Sequence, residues 1–189
     1  MESEDTMSSA ASDAAEYTIY VDGSCQDNQN VTAETPAAWG VVVVVGDNQR
    51  GSGSGEVITE LSGLVITDAT MELFLGAKVG SNNTAELSGV AHALRWILMD
   101  GRVTHAIIRA DSQYALQIAQ QNWKAKANLD LVKTVQALWE EVSSQCQLTG
   151  TWVRAHRGHK WNERADHLAF RTMQGEQPLP LDFWKPGMR

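Results

Sequence analysis

The sequence predicts an α/β fold, a five-stranded mixed sheet with helices on both faces. Three observations predict it. Two β-prone runs open the chain, helical and strand patterns alternate after them, and the run at 39–45 (WGVVVVV) is apolar throughout, as in a strand covered on both sides.

Residues 1–16 hold five acids and no Lys or Arg, and their Ser/Ala-rich stretch has no periodicity, so an acidic, disordered leader is expected. Residues 17–21 (YTIYV) read as a strand ended by the turn signal Asp22-Gly23-Ser24. The strand at 39–45 is followed by a hairpin loop at 46–55, rich in Gly, Ser and Asn. Between 57 and 79 the β-prone pieces are VITEL and LFLGAKV. From Thr84, residues Leu87, Val90, Ala91, Leu94, Ile97 and Leu98 repeat on one helical face, and Gly101 is placed to end that helix. A strand is expected at 103–110, helices at 112–123 and 129–142, a strand at 148–155 and a last helix at 162–173. The tail, 174–189, carries three of the four prolines and is expected to pack loosely. The domain is therefore bounded at 17–173, and no internal repeat is evident.

Composition narrows the function classes. No apolar run approaches the roughly 18–20 residues that span a bilayer. The acidic start lacks the apolar region of a secretory signal, and Cys25 and Cys146 fit no metal or disulfide pattern. An intracellular monomer is the expectation, neither secreted nor membrane-bound. The net charge of −8 disfavours a polyanionic partner at first. Without the leader the chain carries −3, and without four candidate metal-holding acids it carries +1, so charge permits nucleic acid without predicting it.

Those four acids are Asp22, Glu86, Asp111 and Asp166. Each has an ordinary structural role open to it. Asp22 precedes Gly in a turn, Glu86 stands three residues after Asn83 as in a capping box, Asp111 is positioned to cap a helix, and Asp166 suits a helix's early turns. Jointly they have a chemical reason to exist. If the first and fourth strands are neighbours, strand ends and helix starts would bring them to one edge of the sheet, where clustered carboxylates need cations. Hard oxygen ligands select Mg²⁺ or Mn²⁺, and a pair of such ions about 4 Å apart cleaves phosphodiesters.

Four segments carry a resemblance: YVDGSCQDNQN around Asp22, SNNTAEL around Glu86, RADSQYALQ around Asp111 and VRAHRGHKWNERADHLA around Asp166. In this order they resemble the type 1 ribonuclease H family, over about residues 17–173. The resemblance implies a ribonuclease H-like fold and an endonuclease that uses two Mg²⁺ ions, with Mn²⁺ as a substitute. Its substrate would be the RNA strand of RNA–DNA hybrids, cut to 5′-phosphate and 3′-hydroxyl ends. It assigns Asp22, Glu86, Asp111 and Asp166 as metal ligands and His156 as the loop histidine that assists product release or proton transfer. Asn28, Asn82 and Asn83 would contact the hybrid's minor groove, where an amide can read a 2′-hydroxyl. Ser81 and Asn128 would hold a phosphate of the DNA strand, and Trp123 would pack on sugars. The residues also leave room for a solvated loop or core packing at several of these positions.

Two departures stand out. The family's basic protrusion is reduced to 122–128 (NWKAKAN), which predicts a weaker hold on substrate. Residues 50–73 form an enlarged stretch, and with SNNTAEL they resemble ribonuclease H domains of non-LTR retroelements as much as free-standing enzymes. Two other readings stay open: a non-catalytic nucleic-acid-binding domain, and an integrase-like nuclease acting on DNA. The intact acids argue against the first; the Asn pair and His156 argue against the second.

Overall fold

The computed structural model describes residues 15–154 and 158–189. The leader, apart from its last two positions, lies outside them. Strand β1 spans Glu16–Cys25, β2 Ala37–Val45 and β3 Glu56–Leu64, and these three form an antiparallel meander. Helix α1 (Asn82–Asp100) crosses to β4 (His105–Ala110), which pairs in parallel with β1. Helices α2 (Gln113–Ala119) and α3 (Leu129–Gln145) lead to β5 (Gln147–Trp152), parallel to β4, and α4 (Lys160–Met173) follows. The sheet order β3-β2-β1-β4-β5 is the mixed, five-stranded arrangement the sequence predicts.

The valines of β2 show why the sheet needs cover on both sides. Successive side chains of a strand point to opposite faces. Trp39, Val41 and Val43 enter the larger core beneath α1, α2 and α3, whereas Val42 and Val44 enter a smaller core beneath α4 with Tyr20, Trp161 and Leu168. Leu87, Val90, Ala91, Leu94 and Ile97 turn the predicted face of α1 into the larger core. Gly101, at φ 68°, closes that helix as expected.

The structure differs from expectation in three places. β1 runs straight through Asp22-Gly23-Ser24, paired with β2 as far as Cys25, so the turn signal is not a turn. Of the two β-prone pieces, VITEL lies in β3, while LFLGAKV forms no strand. The tail is docked rather than loose. Trp184 is 4% exposed, and the His167 ring bonds the tail at both nitrogens.

Candidate active site

The parallel register of β1 and β4 puts the first two acids side by side. Val21 lies opposite Ala110, the last pair of that ladder, so Asp22 and Asp111 emerge next along neighbouring strands. Gly23 has a packing role there. A Cβ at this position would sit 2.7 Å from the Glu86 backbone nitrogen and 2.8 Å from the Ala85 side chain. Only glycine lets the start of α1 come down onto the strand and deliver Glu86 to Asp22.

The capping roles open to these acids in the sequence are filled by serines. Ser81, not Asn83, is the N-cap of α1: its hydroxyl accepts from the Thr84 amide at 3.1 Å, and the Thr84 hydroxyl accepts from the Ser81 amide at 2.8 Å. Glu86 is thereby released from capping. Ser112, not Asp111, caps α2, accepting from the Ala115 amide at 3.1 Å. The Trp152 indole donates to the Asp111 carbonyl at 3.0 Å, tying that residue's backbone to β5.

Asp166 arrives from the opposite face of the sheet. Asp22 pairs across the ladder with Gly40, and a Cβ on Gly40 would lie 2.9 Å from both the Ala169 nitrogen and the Leu168 side chain. The missing side chain lets α4 lie directly on β2, which carries Asp166 to the sheet edge. Sequence reading does not single out Gly40; a glycine opening an apolar strand is the signal it offers.

Side-chain oxygens of Asp22, Glu86 and Asp111 all lie within 4.8 Å of one another. Burial, then the charges of Asp111 and Asp166, push the Asp22 carboxyl well above the usual carboxylate range. Burial pushes Glu86 up to about 7; the Ser112 hydroxyl bonded to it offsets part of the shift, and the charge of Asp111 adds to it. Three oxygens at this spacing, with the Asp22 and Glu86 carboxyls disfavoured as bare anions, fit a hard divalent cation, for which all-oxygen donors are preferred.

Asp166 meets a different partner. The Arg189 guanidinium grips its carboxylate through both oxygens, Nη2 to Oδ1 at 2.8 Å and Nε to Oδ2 at 2.9 Å. His167, the next residue, holds the tail that brings Arg189 in. The Leu179 amide donates to its Nε2 at 2.9 Å, so the ring proton sits on Nδ1 and is given to the Met188 carbonyl at 3.2 Å. Arg189 and its docking partners are missed in the sequence reading, which treats the tail as uncommitted.

Asp22, Glu86, Asp111, Asp166 and Asn82 line one cleft of about 370 Å³ together with Gln26, Gln174 and Arg189. Asn28 stands beside it, its side-chain oxygen accepting from the Asn82 amide at 3.0 Å. Ser81, Asn83, Asn128 and Trp123 do not line that cleft. Asn83 is exposed, and Ser81 is buried in its capping bonds. Asn128 begins α3 with φ 55° and its side chain bonds Tyr114. Trp123, 47% exposed, borders a separate hollow of about 470 Å³ with Lys124 and Lys133. His156 lies outside the described residues.

Comparison with known proteins converges on one family. The RNase H family model matches residues 14–174. A ribonuclease H of Cupriavidus metallidurans is 34% identical over 166 residues, spanning 82% of this chain and 94% of the relative. Among solved structures, RNase H1 of the archaeon Halobacterium salinarum superposes with a TM-score of 0.61 at 24% identity, covering 85% of this chain and 98% of the other. LC11-RNase H1, solved in complex with an RNA/DNA hybrid, superposes at 0.56 with 20% identity, over 84% and 97% of the two chains.

Proposed function

The chain belongs to the type 1 ribonuclease H family, and on that premise we propose that Asp22, Glu86, Asp111 and Asp166 are the metal ligands with which it cuts the RNA strand of RNA–DNA hybrids. The family acts through divalent metal ions; the metal proposed here is Mg²⁺, two ions per active site, with Mn²⁺ as a substitute. The convergence of Asp22, Glu86 and Asp111 within 4.8 Å supports this reading most directly.

Bound ions would supply activation of the attacking water and charge neutralisation at the departing 3′-oxygen, the chemistry that leaves 5′-phosphate and 3′-hydroxyl ends. The protein's own residues do the rest. Asp22, Glu86 and Asp111 would hold one ion, and Asp166, whose charge reaches Asp22, would help to hold a second. Asn82 and Asn28, at the cleft's rim, offer amides to a 2′-hydroxyl, with Asn83 beside them. Further out, Asn128 is offered to a phosphate of the DNA strand and the exposed Trp123 to the sugars, whereas Ser81 is committed to the cap of α1. His156 carries a proton or eases product away, a role suited to imidazole.

Among the described residues no helix is long and apolar enough to cross a membrane. An intracellular location is the further reading, supported by the free thiols of Cys25 and Cys146, with the protein acting as a monomer.

A gel with labelled hybrid, duplex DNA and duplex RNA in Mg²⁺ tests the proposal. Only the hybrid's RNA strand should be cut, and Asp111→Asn should be inactive. No cleavage by the wild type, or full activity in that variant, would overturn it.

A further inference from the structure

Three of the four acids face one another, but Asp166 faces a cation that the chain itself supplies. Arg189 lies 23 residues from Asp166 and is delivered by a docked segment. Trp184 is buried and its indole donates to the Met188 carbonyl at 3.0 Å; the Gly187 amide donates to Glu163 at 3.0 Å. The guanidinium stands over the Phe170 ring, 4.7 Å from its centre, and lines the same cleft as the acids. Its side chain remains 55% exposed, so the pair can open without unfolding anything.

We propose that Arg189 is a resident cation that holds Asp166 in the metal-free enzyme and yields it to the second divalent ion, thereby setting the metal concentration at which the enzyme becomes competent. This rests on the reading of Asp166 as a metal ligand. Arginine stays protonated at any working pH, and its fork occupies both carboxylate oxygens. A full positive charge beside the second ion's position repels it. The two occupants of Asp166 therefore exclude one another, and the ion's apparent affinity falls by the fraction of molecules in which Arg189 is engaged. The Arg189 fork closes on Asp166 rather than on the three-carboxylate cluster, so that cluster is expected to fill first.

Isothermal titration with Mn²⁺, in the absence of substrate, separates the possibilities. Wild-type protein should show a tighter and a weaker class of ion. Arg189→Met should tighten the weaker class by about threefold to tenfold, the scale of a partly exposed ion pair, and leave the tighter class unchanged. Arg189→Lys should fall between them, because it keeps the charge and loses the fork. Asp166→Asn should remove the weaker class with or without Arg189. In hybrid cleavage, the half-activating Mg²⁺ concentration of Arg189→Met should drop by the same factor. Identical isotherms for Arg189→Met and wild type would overturn the proposal, as would weaker binding in the variant, which would make Arg189 a residue that positions Asp166. No Mn²⁺ binding in the wild type, or binding unaffected by Asp22→Asn, would instead overturn the metal-ligand reading itself.

Discussion

Two corners of one cleft are built in opposite ways. Asp22, Glu86 and Asp111 stand on β1, α1 and the end of β4, elements locked into the larger core. Their backbones are held rigidly, and burial, with the charges of neighbouring acids adding to it, raises the proton affinities of Asp22 and Glu86. Asp166 stands on α4 beneath the tail, where Arg189 balances it. Rigid elements can store electrostatic strain because the surrounding packing, not the carboxylates, fixes the positions. A site assembled from a helix and a docked tail has a partner that can leave, so it needs none of that strain.

The largest effect should come from emptying the strained corner. Asp22→Asn should lower single-turnover hybrid cleavage by at least about a thousandfold, since it removes a metal ligand from chemistry in which each ion supplies several kcal/mol. The same variant should be more stable than wild type to urea when metal is absent, because one of the repelling charges is gone. A loss of stability would show that the contrast between the corners is mistaken.

Next in size is the response to pH. Glu86 has a folded-state pKa of about 7 against an ordinary 4.5, so between those values the folded protein binds more protons than the unfolded chain. Its contribution therefore favours the metal-free fold at low pH and is lost as pH rises through about 7. Urea midpoints taken from pH 5 to pH 8 without metal should fall, and Glu86→Gln or saturating Mg²⁺ should flatten the curve.

Gly40→Val tests the other corner. The new side chain meets the backbone of α4 at Ala169, which should cost about 1–3 kcal/mol by overpacking and shift Asp166 away from Asp22. The weaker Mn²⁺ class should suffer while the tighter one survives; equal damage to both would mean that the corners are not separable. The smallest effect belongs to Ser81→Ala, which removes the N-cap of the helix carrying Glu86 and should cost about 1 kcal/mol in urea unfolding.

Much of the fold is legible in the chain because helix and strand have different periods. The one-sided repeat from Leu87 to Leu98 becomes α1, and the five valines of β2 become a two-faced strand. Local signals mislead where a residue serves a distant neighbour. Asp22-Gly23 has the chemistry of a turn, yet Gly23 is small for the sake of α1. Asn83 and Asp111 sit where caps are expected, yet Ser81 and Ser112, each within two positions, take the helix ends. Those serines leave the acids without their ordinary roles, which strengthens the case for a functional one.

What the sequence determined by itself is the order of the elements and the four acids in their family setting, because periodicity and short motifs are written in consecutive residues. Only the tertiary structure decided that Asp22 lies opposite Gly40, that this gap seats α4, and that a residue as far away as Arg189 closes on Asp166. The physical reason is that register and docking are chosen by long-range packing. A pairing between β1 and β2, or between a tail and a helix, has no period along the chain from which it can be read.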